Sequence, residues 1–158
     1  MNQSLQTNAY PFVTNSFHHD VLVQPNGHWI MIGQISKDFS DLPGYPGTTT
    51  VLGDVILDID PNGNVVWAWS AFDYLDVNRH LQGLPDWTHS NALVYTLDGD
   101  LLLSMRHQSW ILKIDYAHGN GKLLPLVLRD GGTQVLDLDQ PLRTNTTWAT
   151  SGMPVIHE

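Results

Sequence analysis

Two parts of this chain repeat one another, and this repeat constrains the fold more than any other feature of the sequence. The segment ILDID at 56–60 matches ILKID at 111–115. Each copy follows a histidine and a hairpin pattern, in HHDVLVQPNGHWIMIG and in THSNALVYTLDGDLLLSM. A repeat of this kind indicates that one supersecondary unit occurs twice along the chain.

Each unit is predicted to contain four β-strands. In the first unit, DVLVQ at 20–24 and HWIMIGQI at 28–35 flank a Pro-Asn-Gly turn, and DVILDID at 54–60 and VVWAWS at 65–70 flank another. Short apolar runs around an Asn-Gly turn are typical of β-hairpins. The stretch between the two hairpins, residues 37–53, is rich in glycine and proline and is predicted to be a loop.

The second unit is predicted to follow the same order. Its strands are NALVY at 91–95, LLLSM at 101–105, WILKID at 110–115 and a closing strand at Leu123-Leu124, where Val65-Val66 stand in the first unit. The two units are joined by residues 71–87, which have the composition of a long loop with one helical turn.

The repeat predicts an all-β fold, a partial β-propeller. Four-stranded units in tandem are typical of propeller blades, which close into rings of 4–8 blades. A β-sandwich built from the same hairpins is the alternative, but similar strands joined by dissimilar loops favour the propeller. About two blades of a larger ring are present, and two blades cannot close one. Their unpaired edges are therefore open to pairing with other chains.

The blades are assigned to residues 18–124. Residues 1–17 are polar and aperiodic, and they are predicted to be a flexible arm. Residues 125–158 form a divergent tail that starts with Pro125 and contains one weak strand pattern, TQVLDLD at 133–139. Proline lacks the N–H that a central strand needs, so the repeat is expected to break there.

Charge and composition narrow the possible partners. The formal net charge of −9, from 16 acidic and 7 basic residues, argues against a general binder of nucleic acids or anionic membranes. The chain has no cysteine, which excludes disulfides and thiolate chemistry. No apolar run has the length of a membrane span, and the first residues lack a signal-peptide pattern. The compartment therefore stays open.

Two histidines at equivalent places in the repeat are the candidate catalytic residues. His19 and His89 each precede the first strand of their unit, and Arg106 ends the strand that returns beside His89. Equivalent loops of neighbouring blades gather over the central channel, so these three side chains are expected to converge. The planar fork of an arginine matches a tetrahedral oxyanion, and imidazoles add donors. The pattern predicts a cradle for a sulfate or phosphate group.

Four neighbours are assigned to substrate binding: His18, Trp87, Asn91 and His107. Of these, Trp87 is expected to form the wall of a pocket for an aromatic ring. The remaining histidines and the aspartates of the first unit have ordinary turn and strand positions, and they are not given a catalytic role: His28, His80, His118, Asp54, Asp58 and Asp60. Trp67 and Trp69 alternate on one strand and are predicted to pack together in the core.

A metal site is the alternative interpretation of the histidines. It would draw on His18, His19 and Asp20, together with His89 and His107. The chain has no helical His-x-x-x-His spacing, so neither a metal nor another cofactor is predicted.

Four segments together closely resemble the arylsulfotransferase family of bacterial β-propellers: HHDV…PNGHWI, GDVILDIDPNGNVVWAWSAFDYLDVNRH, DWTHSNALVY and LLLSMRHQSWILKID. The resemblance covers roughly residues 17–124. It implies a six-bladed propeller that moves a sulfuryl group from an aryl sulfate to a phenol through a covalent sulfohistidine, without a nucleotide sulfate donor. It also implies a periplasmic or extracellular location.

The resemblance extends to particular residues. By position, His19 (or its neighbour His18), His89 and Arg106 match family residues that hold the sulfate and assist its transfer. The family continues after ILKID with a WRLG-like stretch and a Gln-His motif that carries the nucleophilic histidine. This chain has LPLVLRDGG there and no Gln-His pair, and nothing around His157 matches. The resemblance therefore implies a sulfotransferase-like chain that is inactive or incomplete when isolated.

Two other functions remain as alternatives. One is a non-catalytic β-repeat module that assembles with itself or with a partner through unpaired blade edges. The other is a metal-dependent hydrolase that uses the clustered histidines.

Overall fold

A computed structural model describes Thr14, residues 16–124 and the backbone of three short strands beyond them, at 126–127, 133–134 and 136–137. Most of the arm predicted for 1–17 and most of the tail at 125–158 lie outside the described residues. Within the described ranges, no helix has the length and apolar character needed to cross a membrane.

The two predicted units are both present as antiparallel meanders, which confirms the all-β prediction. The strands of the first blade are β1 (Ser16–Val23), β2 (Trp29–Leu42), β3 (Tyr45–Ile59) and β4 (Val65–Ser70). Those of the second blade are β5 (Ser90–Tyr95), β6 (Leu101–Met105), β7 (Trp110–Ile114) and β8 (Leu123–Leu124). Between the blades lie a short helix, α1 (Ala71–Tyr74), and a 3-10 turn at Leu81–Gly83.

The loop predicted for residues 37–53 is wrong, because the structure has a long hairpin there. β2 and β3 stay paired from Trp29↔Ile59 out to Leu42↔Tyr45. The threonines at 48–50 are β-branched and suit a strand, and they pair with residues 38–40 of β2. Only Pro43 and Gly44 form the turn, so the glycine-rich composition of the hairpin tip concealed its strands.

The two sheets pack face to face around one core. The first blade contributes Ile30, Ile32 and Ile56, and the second contributes Leu103 and Ile114; all five side chains are fully buried. Burying such a side chain stabilises the fold by roughly 1.5–3 kcal/mol relative to leaving it exposed. The blades are therefore held together mainly by apolar packing.

The predicted pairing of Trp67 and Trp69 on one face is confirmed. Both indoles are buried, and their Nε1–H groups donate to the carbonyl oxygens of Gly119 (3.1 Å) and Gly121 (3.0 Å). Each tryptophan thus buries apolar surface and also satisfies its polar atom, as buried indoles usually do. The two bonds attach the outer strand of the first blade to the turn that follows β7.

The outer edge of the second blade is closed by two separate strands. β8 pairs with Lys113 and Ile114, and Leu123 stands opposite Ile114 as Val65 stands opposite Ile59. The other half of β7 pairs with β11 (Leu136–Asp137). β9 (Leu126–Val127) and β10 (Thr133–Gln134) form a small sheet of their own. The strand pattern predicted at 133–139 thus corresponds to β10 and β11, whereas β9 was not predicted.

Candidate functional site

The loop before β5 is held on two sides. On one side, the N–H of Trp87 donates to the carbonyl of Leu52 on β3 over 2.9 Å. On the other side, the N–H groups of Arg106 and His107 donate to the carbonyls of His89 and Thr88 over 3.2 and 3.1 Å. This loop carries His89, so its position is fixed by β3 and by the 3-10 turn at Arg106–Gln108.

The two repeat-equivalent histidines share an unusual backbone conformation. His19 has a φ of +59° and His89 has a φ of +46°, in the left-handed region that residues other than glycine rarely adopt. His19 lies in the irregularity of β1 between Phe17 and Val21, and His89 immediately precedes β5. Such conformations cost about 1–3 kcal/mol and concentrate at functional sites. The repeat therefore preserves a costly local geometry at both positions.

Four imidazoles lie together at this end of the blades. The Nε2 atoms of His19 and His89 are 3.1 Å apart. The ring of His18 lies 5.1 Å from that of His19, and the ring of His107 stacks on His89 at 4.6 Å, measured between centroids. The structure thus brings together four of the histidines that the sequence selected, from both blades.

Asp86 orients His89. Its carboxylate accepts a hydrogen bond from Nδ1 of His89, and Nε2 of Gln34 donates to its other oxygen over 3.3 Å. With the proton on Nδ1, a neutral His89 has a lone pair at Nε2. This lone pair accepts a hydrogen bond from the Nε2–H of His19. This tautomer follows from the hydrogen-bond network. Asp86 is not among the residues that the sequence pattern predicts for the site, although DWTH has an aspartate three residues before the histidine.

Asp54 plays the same part for His18, which corrects the view that this aspartate has only a strand role. Nε2 of His18 donates to its carboxylate over 3.1 Å, and the N–H of Ser90 donates to the same group over 2.5 Å. The bond to Asp54 raises the pKa of His18 despite partial burial. Burial alone would raise the pKa of Asp54, but the bonds from His18 and Ser90 outweigh it and lower that pKa. An ion pair thus lies beside the histidine cluster.

Arg106 lies at the edge of the cluster with its side chain exposed. Among the described residues, no hydrogen bond or ion pair involves its guanidinium. Arg79 differs, because it donates to the carbonyl of Gln108 over 2.8 Å and stacks on Trp110 at 3.8 Å. Arg106 is therefore a cation available to a ligand, whereas Arg79 supports the fold.

Two residues assigned to substrate binding have other positions. Trp87 has no exposed surface, stacks on Phe72 at 5.5 Å and donates its indole N–H to Arg79. It belongs to the core, because the loop turns its side chain inward between β3 and the 3-10 turn, and it offers no wall to a ligand. Asn91 is exposed at the bulge between Ser90 and Ala92, and no hydrogen bond joins its side chain to the histidines.

The metal ligands suggested by sequence are only partly brought together. Both carboxylate oxygens of Asp20 accept backbone N–H groups, from Val21 and from Leu93 on β5, so this residue ties β1 to β5. A different carboxylate joins the histidines: Asp86, His89 and His107 have one ligand atom each within 4.8 Å of one another.

The site as a whole suits an anion. Four imidazoles lie together on a partly exposed surface, Arg106 is bonded through its backbone to His89, and the raised pKa of His18 favours a positive charge among them. Such groups stabilise tetrahedral oxyanions and the charge that develops during their transfer.

Comparison with known proteins gives one match. A family model described as arylsulfotransferase (ASST) matches residues 2–123 of the chain. No curated protein and no solved structure matches it.

Proposed function

Since this chain belongs to the arylsulfotransferase family, we propose that it binds an aryl sulfate through His19, His89 and Arg106. The sulfuryl group is destined for a phenolic acceptor, by way of a sulfohistidine. In such a transfer the sulfur–oxygen bond to the aryl group breaks as a nitrogen–sulfur bond forms. The departing phenolate takes a proton. The oxygen of the acceptor phenol then bonds to the sulfur as the nitrogen–sulfur bond breaks, and the acceptor gives up its hydroxyl proton.

The observation that supports this proposal is the pair of facing Nε2 atoms of His19 and His89. His19 and His89 satisfy each other across 3.1 Å, so a sulfuryl oxygen can accept the Nε2–H of His19 in place of the His89 ring nitrogen. Arg106 comes from the element that follows β6 and is bonded through its backbone to His89. It can supply two parallel donors to the remaining oxygens. These three groups hold the sulfuryl group and neutralise its charge.

The nucleophile is not assigned to any of these residues. His89 already has both ring nitrogens engaged, with Asp86 and with His19. The described residues also form only two blades, whereas closed rings have 4–8. We therefore propose that the isolated chain binds aryl sulfates and transfers their sulfuryl group slowly or not at all.

Binding and turnover are measured separately. Benzenesulfonate, whose carbon–sulfur bond is not broken by transfer, is titrated by NMR, and release of nitrophenol from a nitrophenyl sulfate is followed with phenol present. We expect benzenesulfonate to shift the histidine resonances of the cluster, and His89→Ala and Arg106→Ala to weaken its binding roughly tenfold or more. Lys122→Ala removes an exposed cation elsewhere and is the matched control.

The outcomes separate the parts of the proposal. Equal benzenesulfonate affinity in the wild type, His89→Ala and Arg106→Ala would contradict the assigned binding site. Turnover that persists in both variants would remove their role in transfer. Rapid turnover by the wild-type chain, lost in the variants, would overturn only the proposed inactivity.

Exposed apolar residues favour the alternative of a self-associating β-repeat module. Val23 at the end of the edge strand β1 is 68% exposed, and Val94 on β5 is 52% exposed. Edge strands with apolar surface are prone to pair with other chains. Sedimentation over a range of concentrations tests this reading, and a strictly monomeric chain counts against it.

A further inference from the structure

We propose that Asp86, His89 and His107 form a binding site for a divalent first-row transition-metal ion such as Zn²⁺. This site is separate from the sulfuryl-binding role, because it uses the opposite nitrogen of the His89 ring. Two imidazoles and one carboxylate are a ligand set that such ions accept readily.

The stacking of two rings directs both Nδ1 atoms toward Asp86. The rings of His89 and His107 are 4.6 Å apart and inclined by only 26°. Nδ1 of His89 contacts the carboxylate of Asp86, and Nδ1 of His107 lies 2.5 Å from the main-chain oxygen of Asp86. One ligand atom from each residue lies within 4.8 Å of the others. Ligand atoms around a tetrahedral ion are about 3–3.5 Å apart, so small shifts suffice.

Contacts outside the ligand set hold Asp86 and His107 in place, as is common around metal ions in proteins. Gln34 donates to the carboxylate of Asp86, and such outer hydrogen bonds fix the orientation of ligands. His107 is held by its backbone bond to Thr88, and its ring packs against Gly83. A Cβ at Gly83 would lie 2.8 Å from Nδ1 of His107, so the absent side chain leaves room for the ring.

The site is open to an ion on one side. The side chains of Asp86 and His89 are 28% and 25% exposed. Solvent can therefore deliver an ion and occupy a fourth position, as in zinc sites with three protein ligands. The neighbouring imidazoles of His18 and His19 do not belong to this group of ligand atoms.

A bound ion changes the hydrogen-bonding character of His89. The ion takes the Nδ1 lone pair, which requires the proton on Nδ1 to leave. A neutral His89 then carries its proton on Nε2, where it donates to His19 and no longer accepts. Metal binding and a free lone pair at Nε2 of His89 therefore exclude each other.

Titration of the chain with Co²⁺, followed by displacement with Zn²⁺, tests the proposal. Absorption bands of the bound cobalt report its coordination, and calorimetry gives stoichiometry and affinity. We expect one ion per wild-type chain. In Asp86→Asn and His107→Ala, we expect the affinity for the ion to fall roughly tenfold or more. His118→Ala should bind as the wild type does, because its ring does not belong to the proposed ligand set. Circular dichroism verifies that each variant is folded.

A second measurement uses the wild-type chain alone. Zn²⁺ should shift the imidazole NMR signals of His89 and His107 and leave that of His28 unchanged. Wild-type affinity no greater than that of Asp86→Asn and His107→Ala would overturn the proposal. So would loss of binding in His118→Ala, which places the ion on a surface turn.

Discussion

The carboxylate of Asp54 joins the two blades at the histidine cluster. It is fully buried on β3, accepts from Nε2 of His18 in its own blade over 3.1 Å, and accepts the backbone N–H of Ser90 in the next blade over 2.5 Å. One side chain thus sets the position of an imidazole and of the start of β5. Its charge is important for both the fold and the site.

The ion pair of His18 and Asp54 predicts a pH-dependent stability. The bond to Asp54 raises the pKa of His18 above 6.5, so the stabilisation from the charged imidazole is complete below that pH and is lost as pH rises through the raised pKa. We expect His18→Asn to lower the free energy of unfolding by about 1 kcal/mol near pH 5.5 and by less near pH 9. Urea denaturation at both pH values measures the difference, and an equal loss at both would contradict the pairing.

Removing the buried carboxylate should destabilise the chain more strongly. Asp54→Ala leaves the N–H of Ser90 without its acceptor inside the protein and His18 without its counter-ion. Unsatisfied buried donors and lost charged hydrogen bonds predict a loss of about 2–4 kcal/mol in the free energy of unfolding. Asp73→Ala, at an exposed aspartate of α1, is the comparison and should cost about 0.5 kcal/mol or less. Similar losses in the two variants would argue against a central role for Asp54.

The close approach of Gly83 to His107 predicts a non-additive pair of substitutions. Gly83→Ala places a Cβ 2.8 Å from Nδ1 of His107, which should displace the ring and destabilise the chain by about 1–3 kcal/mol. In the double variant Gly83→Ala/His107→Ala the ring atoms are gone and only the Cβ at position 107, 3.1 Å away, remains close, so the second substitution should recover part of that loss. Thermal unfolding of the single and double variants tests the coupling, and strictly additive effects would show that the ring is free to move.

A hydrogen bond between blades predicts a contrast between two tyrosines. The hydroxyl of Tyr116 in the second blade donates to Asp58 of the first over 2.6 Å, and its burial and this bond raise its pKa. Tyr116→Phe should lower the free energy of unfolding by about 1 kcal/mol or more. Tyr74→Phe removes a longer, exposed bond to Asn120 and should cost less. Chemical denaturation of both variants measures the two losses, and a larger loss in Tyr74→Phe than in Tyr116→Phe would refute the argument.

Sequence predicted the repeating strands because hairpin turns and apolar runs are local signals. The same signals give a wrong prediction at residues 37–53, where the glycines and prolines of a hairpin tip indicate a loop although the threonines pair across it. The prediction that Trp87 lines a pocket is wrong as well, because composition does not show whether an indole beside a loop turns toward solvent or toward the core.

The site was predictable where the repeat marked it. His19 and His89 stand at equivalent positions, and the structure joins them through their Nε2 atoms. The repeat does not indicate the two carboxylates that support the histidine cluster. Asp54 reaches His18 from the neighbouring strand pair, and Asp86 reaches His89 from a loop. These contacts depend on side-chain directions that only the folded chain defines.

Two strands, β8 and β11, share the outer edge of the second blade. The family match ends at residue 123, yet β11, at Leu136–Asp137, pairs with the half of β7 that β8 leaves open. Backbone groups at Trp110 and Ile111 would otherwise face solvent as a template for another strand. Strand pairing beyond the matched residues thus supplies one half of this edge with hydrogen-bond partners.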